Sequence, residues 1–259
     1  ERMKASSHVK LAREHGFTAM DIDILDDENG DEYVEIDGCK IGQGIEKYDS
    51  LIILTHFKGH GLAGFGGALK NVGMGLGSRA GKLFMHSDIS PSINNNCIGC
   101  GLCAQHCSAK AICLNEGKAV IDSSKCIGCA MCIAVCSNKA VDIPWDGSTP
   151  EKLQRKTINY ANAVVNKIGR EKIIYINVLK NITKNCDCMA INEKSIMEDI
   201  GIIAGYNIVA IEKASLDLAR KNCDAFDKMN DVDKDFPVNY AESIRLGTKD
   251  YEIENLWKK

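Results

Sequence analysis

The sequence predicts an α/β domain interrupted by a small cysteine-rich insert, and three observations carry that prediction. Short apolar runs of strand character, at 48–57, 171–180 and 199–204, stand on both sides of the chain's middle. Helical patterns at 148–169 and 209–222 alternate with them, as in layered α/β domains. Between them, residues 92–143 carry two matching runs of four cysteines.

Composition narrows the function classes. At 259 residues and 45% hydrophobic, the chain has enough material for one substantial core, or one core plus a small module. A formal net charge of −3 gives no electrostatic case for binding nucleic acid or an anionic membrane surface. The longest apolar stretch, IGIIAGYNIVAI at 200–211, is broken by glycines and Asn207 and is too short to cross a bilayer. The opening ERMKASSHVK lacks the apolar segment of a signal peptide. Thirteen cysteines suit a disulfide scaffold only in a short secreted chain, so the reading is a reduced, cytoplasmic setting without nucleic-acid or membrane partners.

Each element follows from local pattern. SSHVKLAREHG at 6–16 offers a serine cap, a short helical run and Gly16 as a stop. MDIDIL at 20–25 and EYVEID at 32–37 alternate apolar with polar and read as strands joined by DDENGD. YDSLIILTHF at 48–57 is a continuous apolar run, the pattern of a buried parallel strand. Residues 58–82 hold nine glycines and read as a backbone-rich loop with one short helix at 66–72. Ser148 and Glu151 form a capping box with Pro150 in the first turn of the next helix. In that helix Leu153, Thr157, Tyr160, Ala161, Val164 and Ile168 share one face, and Gly169 closes it. EKIIYINVLK and DIGIIA read as strands, and VAIEKASLDLARKN as a helix. The expected division is a discontinuous α/β domain, 1–91 and 144–259, with 92–143 inserted.

The insert repeats C-x2-C-x2-C-x3-C at an interval of 29 residues. Three thiolates so spaced can wrap one face of an iron–sulfur cubane, while the fourth reaches the other repeat's cluster. Cys97, Cys100, Cys103 and Cys136 are therefore assigned to one [4Fe–4S] cluster, and Cys107, Cys126, Cys129 and Cys132 to the second. Gly99 and Gly128 allow close approach of backbone N–H groups to sulfur. Four-cysteine zinc sites also use C-x2-C pairs, but they leave the third cysteine of each run unexplained. The insert resembles bacterial two-cluster ferredoxins, with Ser108 and Ser137 where those proteins carry proline. That resemblance implies an α+β ferredoxin-like module passing single electrons to a redox protein partner. Cys39, Cys113 and Cys223 stand alone and are expected to be buried hydrophobes.

Two further segments carry chemistry. GHGLAG fits G-x-G-x-x-G after a strand, but lacks the helix and the later acidic residue of a dinucleotide site. The glycine segment reads instead as a loop holding an anionic ligand, with Gly66, Gly67, Lys70, Asn71 and Arg79 as candidates, or as a tight packing loop. NCDCMA at 185–190 follows a strand, and His56 lies at the end of another. Ligands of α/β sheets bind at the carboxyl edge, so His56, His60, His86, Cys186 and Cys188 form a candidate third metal site, for Zn or Fe, or a substrate site.

HFKGHGLAGFGGALKNVGMG, then GK, a histidine, the doubled cysteine module, CDC, DIGIIA and KASLDL together resemble the uncharacterised "Fe–S center protein" family, also called domain of unknown function 362. SSHVKLAREHGF and LGTKDYEI extend the resemblance over essentially the whole chain. It implies recurrent motif positions at His56, Lys58, His60, Gly66, Gly67, Lys70, Asn71, His86, Cys186, Asp187 and Cys188, and a member lacking its N-terminal part. The expected function is redox: two clusters deliver electrons to the His/Cys/Gly-loop site, there to reduce a small anionic substrate. The alternative is a non-catalytic electron carrier or cluster-bearing adaptor that docks a protein partner.

Overall fold

The computed structural model describes residues 4–28, 30–86, 90–143, 149–187, 189 and 192–256. In chain order the elements are α1 (Ala5–Glu14), β1 (Tyr33–Ile36), β2 (Cys39–Gly42), β3 (Leu51–His56), β4 (Lys58–His60), β5 (Gly64–Gly66), α2 (Ala68–Leu76) and α3 (Arg79–His86). The cysteine segment contributes β6 (Ser92–Ile93), α4 (Leu102–Gln105), β7 (Ile112–Asn115), β8 (Lys118–Ile121), α5 (Met131–Val135) and β9 (Val141–Asp142). Then follow α6 (Pro150–Ile168), β10 (Ile173–Leu179), β11 (Gly201–Gly205), α7 (Ile208–Asn222) and α8 (Phe236–Ser243). This is a mixed α/β architecture with small sheets.

The chain gathers into two compact units, Glu1–Tyr48 with Leu76–Thr149, and Asp49–Gly75 with Pro150–Lys259. Residues 92–143 lie wholly within the first. There β1 and β2 form an antiparallel hairpin, as do β7 and β8, and β6 pairs antiparallel with β9 to join the two ends of the cysteine segment. Cys103, Cys132, Ala119 and Val141 make its small core.

MDIDIL forms no strand. Residues 20–24 are irregular and Leu25 begins a turn, because the neighbouring hairpin β1–β2 pairs with itself and offers this segment no ladder. Its contacts are of another kind: the Leu25 carbonyl accepts the Gly44 N–H at 2.8 Å, and Asp23 accepts from Lys47 and the Tyr48 hydroxyl.

The second unit is built on a three-stranded sheet of order β11-β10-β3. β3 runs parallel to β10, with Val178 opposite His56, whereas β11 is antiparallel to β10. Ile53, Thr55, Ile173, Tyr175, Asn177 and Leu179 point to the buried face, against which α7 packs. Ile52, Leu54 and Ile202 point the other way and are 71%, 66% and 63% exposed. The apolar run at 48–57 thus reads as doubly covered but is covered on one face only.

The glycine segment holds more regular structure than its composition suggests. It contains the β4–β5 hairpin and two helices, α2 and α3, rather than one short helix. Helix propensity is overridden here by close packing. A Cβ on Gly73 of α2 would sit 2.0 Å from the Thr157 carbonyl oxygen of α6, so glycine is what lets the two helices approach. The helix at 148–169 appears as α6 with the expected buried face, Leu153, Thr157, Tyr160, Ala161, Val164 and Ile168. Its Ser148 cap lies outside the described residues.

Gly73→Ala should therefore destabilise the protein by about 1–3 kcal/mol through overpacking. Gly61→Ala, where an added Cβ meets nothing within 4 Å, should stay within about 0.5 kcal/mol of the parent in the same chemical-denaturation experiment.

Candidate functional site

The cysteine repeats fold alike. In each repeat the third cysteine, Cys103 or Cys132, sits in a short helix, α4 or α5, and the residue preceding that helix, Gly101 or Ala130, is left-handed in both. After the fourth cysteine each repeat makes the same turn: Lys110 and Lys139 are left-handed, and the N–H groups of Ala111 and Ala140 each donate at 3.2 Å to Cys107 and Cys136 sulfur. The chain thereby arrives at two recesses. One is lined by Cys97, Cys100, Cys103 and Cys136, the other by Cys107, Cys126, Cys129 and Cys132. The two recesses are alike in size, as a repeated motif requires. The fourth cysteine of each repeat has crossed to the other repeat's recess.

The donor set is thiolate-rich and backed by backbone amides. Cys97 sulfur accepts from the Ala119 N–H at 3.4 Å, and this bond, with that from Gly99, holds its thiol below the ordinary range. Burial pushes Cys132 up to about 12 and raises Cys129 and Cys103, so these three are the enclosed members. Among the described residues no three His, Cys, Asp or Glu side chains converge on the position of a single metal ion. Four thiols lining each recess, with N–H donors aimed at sulfur, are a donor set of the kind that suits an iron–sulfur cluster. Of the isolated cysteines, Cys39 is buried and Cys223 half-buried. Cys113 is exposed, because it lies on the outward side of the β7–β8 hairpin, which the short cysteine segment leaves uncovered.

The second candidate lies at the carboxyl edge of the sheet in the second unit. Parallel pairing of β3 with β10 brings His56 and the segment after Leu179 to the same end. His56 Nε2 faces the Lys180 carbonyl at 2.9 Å and Nδ1 faces an Asp187 oxygen at 2.9 Å. Both partners are acceptors, so both bonds are made together only by the doubly protonated ring. Lys58 adds its ammonium to the same Asp187 oxygen at 3.1 Å and donates to the His56 carbonyl at 2.7 Å. Burial acts to raise the Asp187 carboxyl, but the His56 bond and the Lys58 charge outweigh it and leave it below the usual range. His60, buried at the end of β4, accepts the Leu62 and Ala63 N–H groups on Nδ1. Both His56 nitrogens thus face acceptors, and His60 Nδ1 faces donors.

Lys70 of α2 approaches Cys186 sulfur at 3.9 Å, and Cys186 is buried. Cys188 lies outside the described residues, and His86 closes α3 in the first unit, as Arg79 opens it. Asn71 is spent on the sheet, donating to the Leu54 carbonyl and the Thr55 hydroxyl.

The start of α2 does hold an anion, but one of the protein's own. Glu212, fully buried on α7, accepts the N–H of Ala68 at 2.7 Å and of Leu69 at 3.3 Å. A Cβ on Gly67 would fall 2.3 Å from the Glu212 carboxylate. Gly67 and the first amides of α2 are thus occupied internally. Burial pushes the Glu212 carboxyl up to about 7, against the lowering effect of the two amides. Nothing in the helix pattern of α7 singles out this residue; only its long-range partners do.

A family model described as a domain of unknown function matches residues 2–217. The chain belongs to the domain of unknown function 362 family. No curated protein and no solved structure matches it. No described helix is long and apolar enough to cross a membrane.

Glu212 sets a pH dependence whose sign is fixed. Its folded value lies above the ordinary 4.5, so the protonated carboxyl contributes fully below about pH 4.5 and that contribution is lost as pH rises through about 7. Unfolding free energies of the parent minus Glu212→Gln should fall across this window, by on the order of 3 kcal/mol. A difference that stays flat would show that folding leaves the Glu212 carboxyl at its ordinary value.

Proposed function

We propose that the protein is an iron–sulfur redox protein with two [4Fe–4S] clusters. Cys97, Cys100, Cys103 and Cys136 would hold one, and Cys107, Cys126, Cys129 and Cys132 the other. The observation that carries this reading is the exchange of the fourth cysteine between the two recesses, which is the connectivity such a pair of clusters needs. Clusters of this kind, when bound, supply single-electron transfer at low potential. The chain's own part is to supply thiolates, aim the amides of Ala111, Ala119 and Ala140 at sulfur, and line the recesses with apolar residues. Ile98, 68% exposed, and Leu102 leave an apolar rim at the first recess, which suits brief docking of a redox partner.

A second reading is favoured by one observation, the Lys70 ammonium beside Cys186. In it the carboxyl edge of the second unit accepts electrons and holds a small anionic substrate. The side-chain stems of Lys58 and Lys70 both pass within 4 Å of the position a Cβ of Gly66 would take. Asp187 compensates Lys58, so Lys70 is the cation this reading assigns to the substrate.

Anaerobically purified protein should contain about eight iron and eight sulfide per chain. The crossed assignment makes a sharper demand. Cys97→Ala and Cys136→Ala should leave the same residual electron paramagnetic resonance signal, and Cys107→Ala and Cys126→Ala the other. Pairing by repeat instead, Cys97 with Cys107, would sink the assignment, and zinc in place of iron would sink the function. Cys186→Ala should leave both signals intact.

A further inference from the structure

The second unit has an open pocket of about 370 Å³ at the end of the sheet away from His56 and Asp187, within the range of small-molecule sites. Its floor includes Tyr175, the third residue of β10, which is 1% exposed. No described residue accepts from the Tyr175 hydroxyl, which is reached from the pocket rather than sealed off and so is open to a polar atom there. Burial keeps that phenol protonated by pushing it up, despite the nearby charge of Arg170, so it is available as a donor.

The walls are apolar: Val165, Ile208 and Leu246 line them, and each is almost wholly buried. The lip is not. Arg170 and Glu171, between α6 and β10, both line the pocket, and no ion pair joins them to each other or to another described residue. Arg170 commits one guanidinium nitrogen to the Arg245 carbonyl, which fixes the head and leaves further N–H groups. A simple anion would meet Arg170 but be repelled by Glu171, and a simple cation the reverse. A ligand bearing both charges satisfies both.

We propose that this pocket binds a small zwitterion with an apolar body, of the α-amino-acid type, its carboxylate on Arg170, its ammonium on Glu171 and a polar atom on the Tyr175 hydroxyl. The site is independent of the cluster reading and lies at the opposite end of β10 from the Lys70–Cys186 edge.

The test uses the full chain and L-leucine and L-phenylalanine as probes, followed by ligand-observed NMR and calorimetry. Saturable binding should weaken about tenfold in each of Tyr175→Phe, Arg170→Gln and Glu171→Gln, the loss of one charged or neutral hydrogen bond. Tyr175→Phe keeps the buried ring, and an unchanged far-ultraviolet circular dichroism spectrum and cooperative unfolding transition separate loss of binding from loss of fold. L-leucinamide and N-acetyl-L-leucine, each lacking one charge, should bind more weakly than leucine. No saturable binding into the millimolar range overturns the proposal, as does binding indifferent to all three substitutions. N-acetyl-L-leucine binding as well as leucine would overturn the zwitterion.

Discussion

A carboxylate buried at the start of a helix governs the second unit. Glu212 rises from α7 into the first turn of α2, where free backbone N–H groups and the helix dipole favour negative charge. Burial opposes that charge strongly enough to bring the group near neutrality's edge. The bonds nonetheless hold the first turn of α2, and with it Lys70 and Asn71 two and three residues after Ala68. Asn71 then ties α2 to the end of β3, and Lys70 points to Cys186. A single long-range contact between α7 and α2 thus orders the side chains at the carboxyl edge of the sheet.

The edge itself is an electrostatic network before it is anything else. Two groups from one stretch of the sequence, His56 and Lys58, share one carboxylate oxygen of the distant Asp187. Asp187 is about half exposed, so solvent screens the network, and its value lies in position rather than in stability. It pins the segment after β10 against β3 and sets Cys186 beside Lys70. A cation, Lys70, and a thiol, Cys186, thereby stand side by side next to a charge cluster.

What was legible in the sequence follows the range of the forces involved. α6, β10 and α7 are written in periodicity and flanking signals, which are local, and the structure follows them closely. The cysteine spacing is also local, and the fourth cysteine of each repeat lines the recess that holds the other repeat's triplet. Residues 20–25 and the glycine segment misled for the opposite reason. Alternation at 20–25 found no partner strand, and the glycines of α2 are there for the Thr157 carbonyl, a contact 84 positions away in a different helix. Glu212 was invisible because a glutamate within an amphipathic helix ordinarily faces water. Lys58 and Asp187 entered only through resemblance to a family, since neither belongs to a spacing that carries its own chemistry.

The two cysteine repeats argue their own case through one mismatch. Position 101 is glycine and its equivalent, position 130, is alanine, yet both adopt the left-handed conformation at φ 78° and 58°. A left-handed alanine costs of order 1 kcal/mol, and no local preference would choose it. Gly99 and Gly128, two residues earlier, are left-handed as well, at φ 66° and 75°. The backbone between the second and third cysteines therefore takes the same path whichever residue occupies it. Residue preference cannot be the cause, because it differs between the copies. What the copies share is the requirement that three sulfurs face one enclosed volume, and a chain that turns left-handed twice within three residues is what brings the first, second and third cysteines round to the same side.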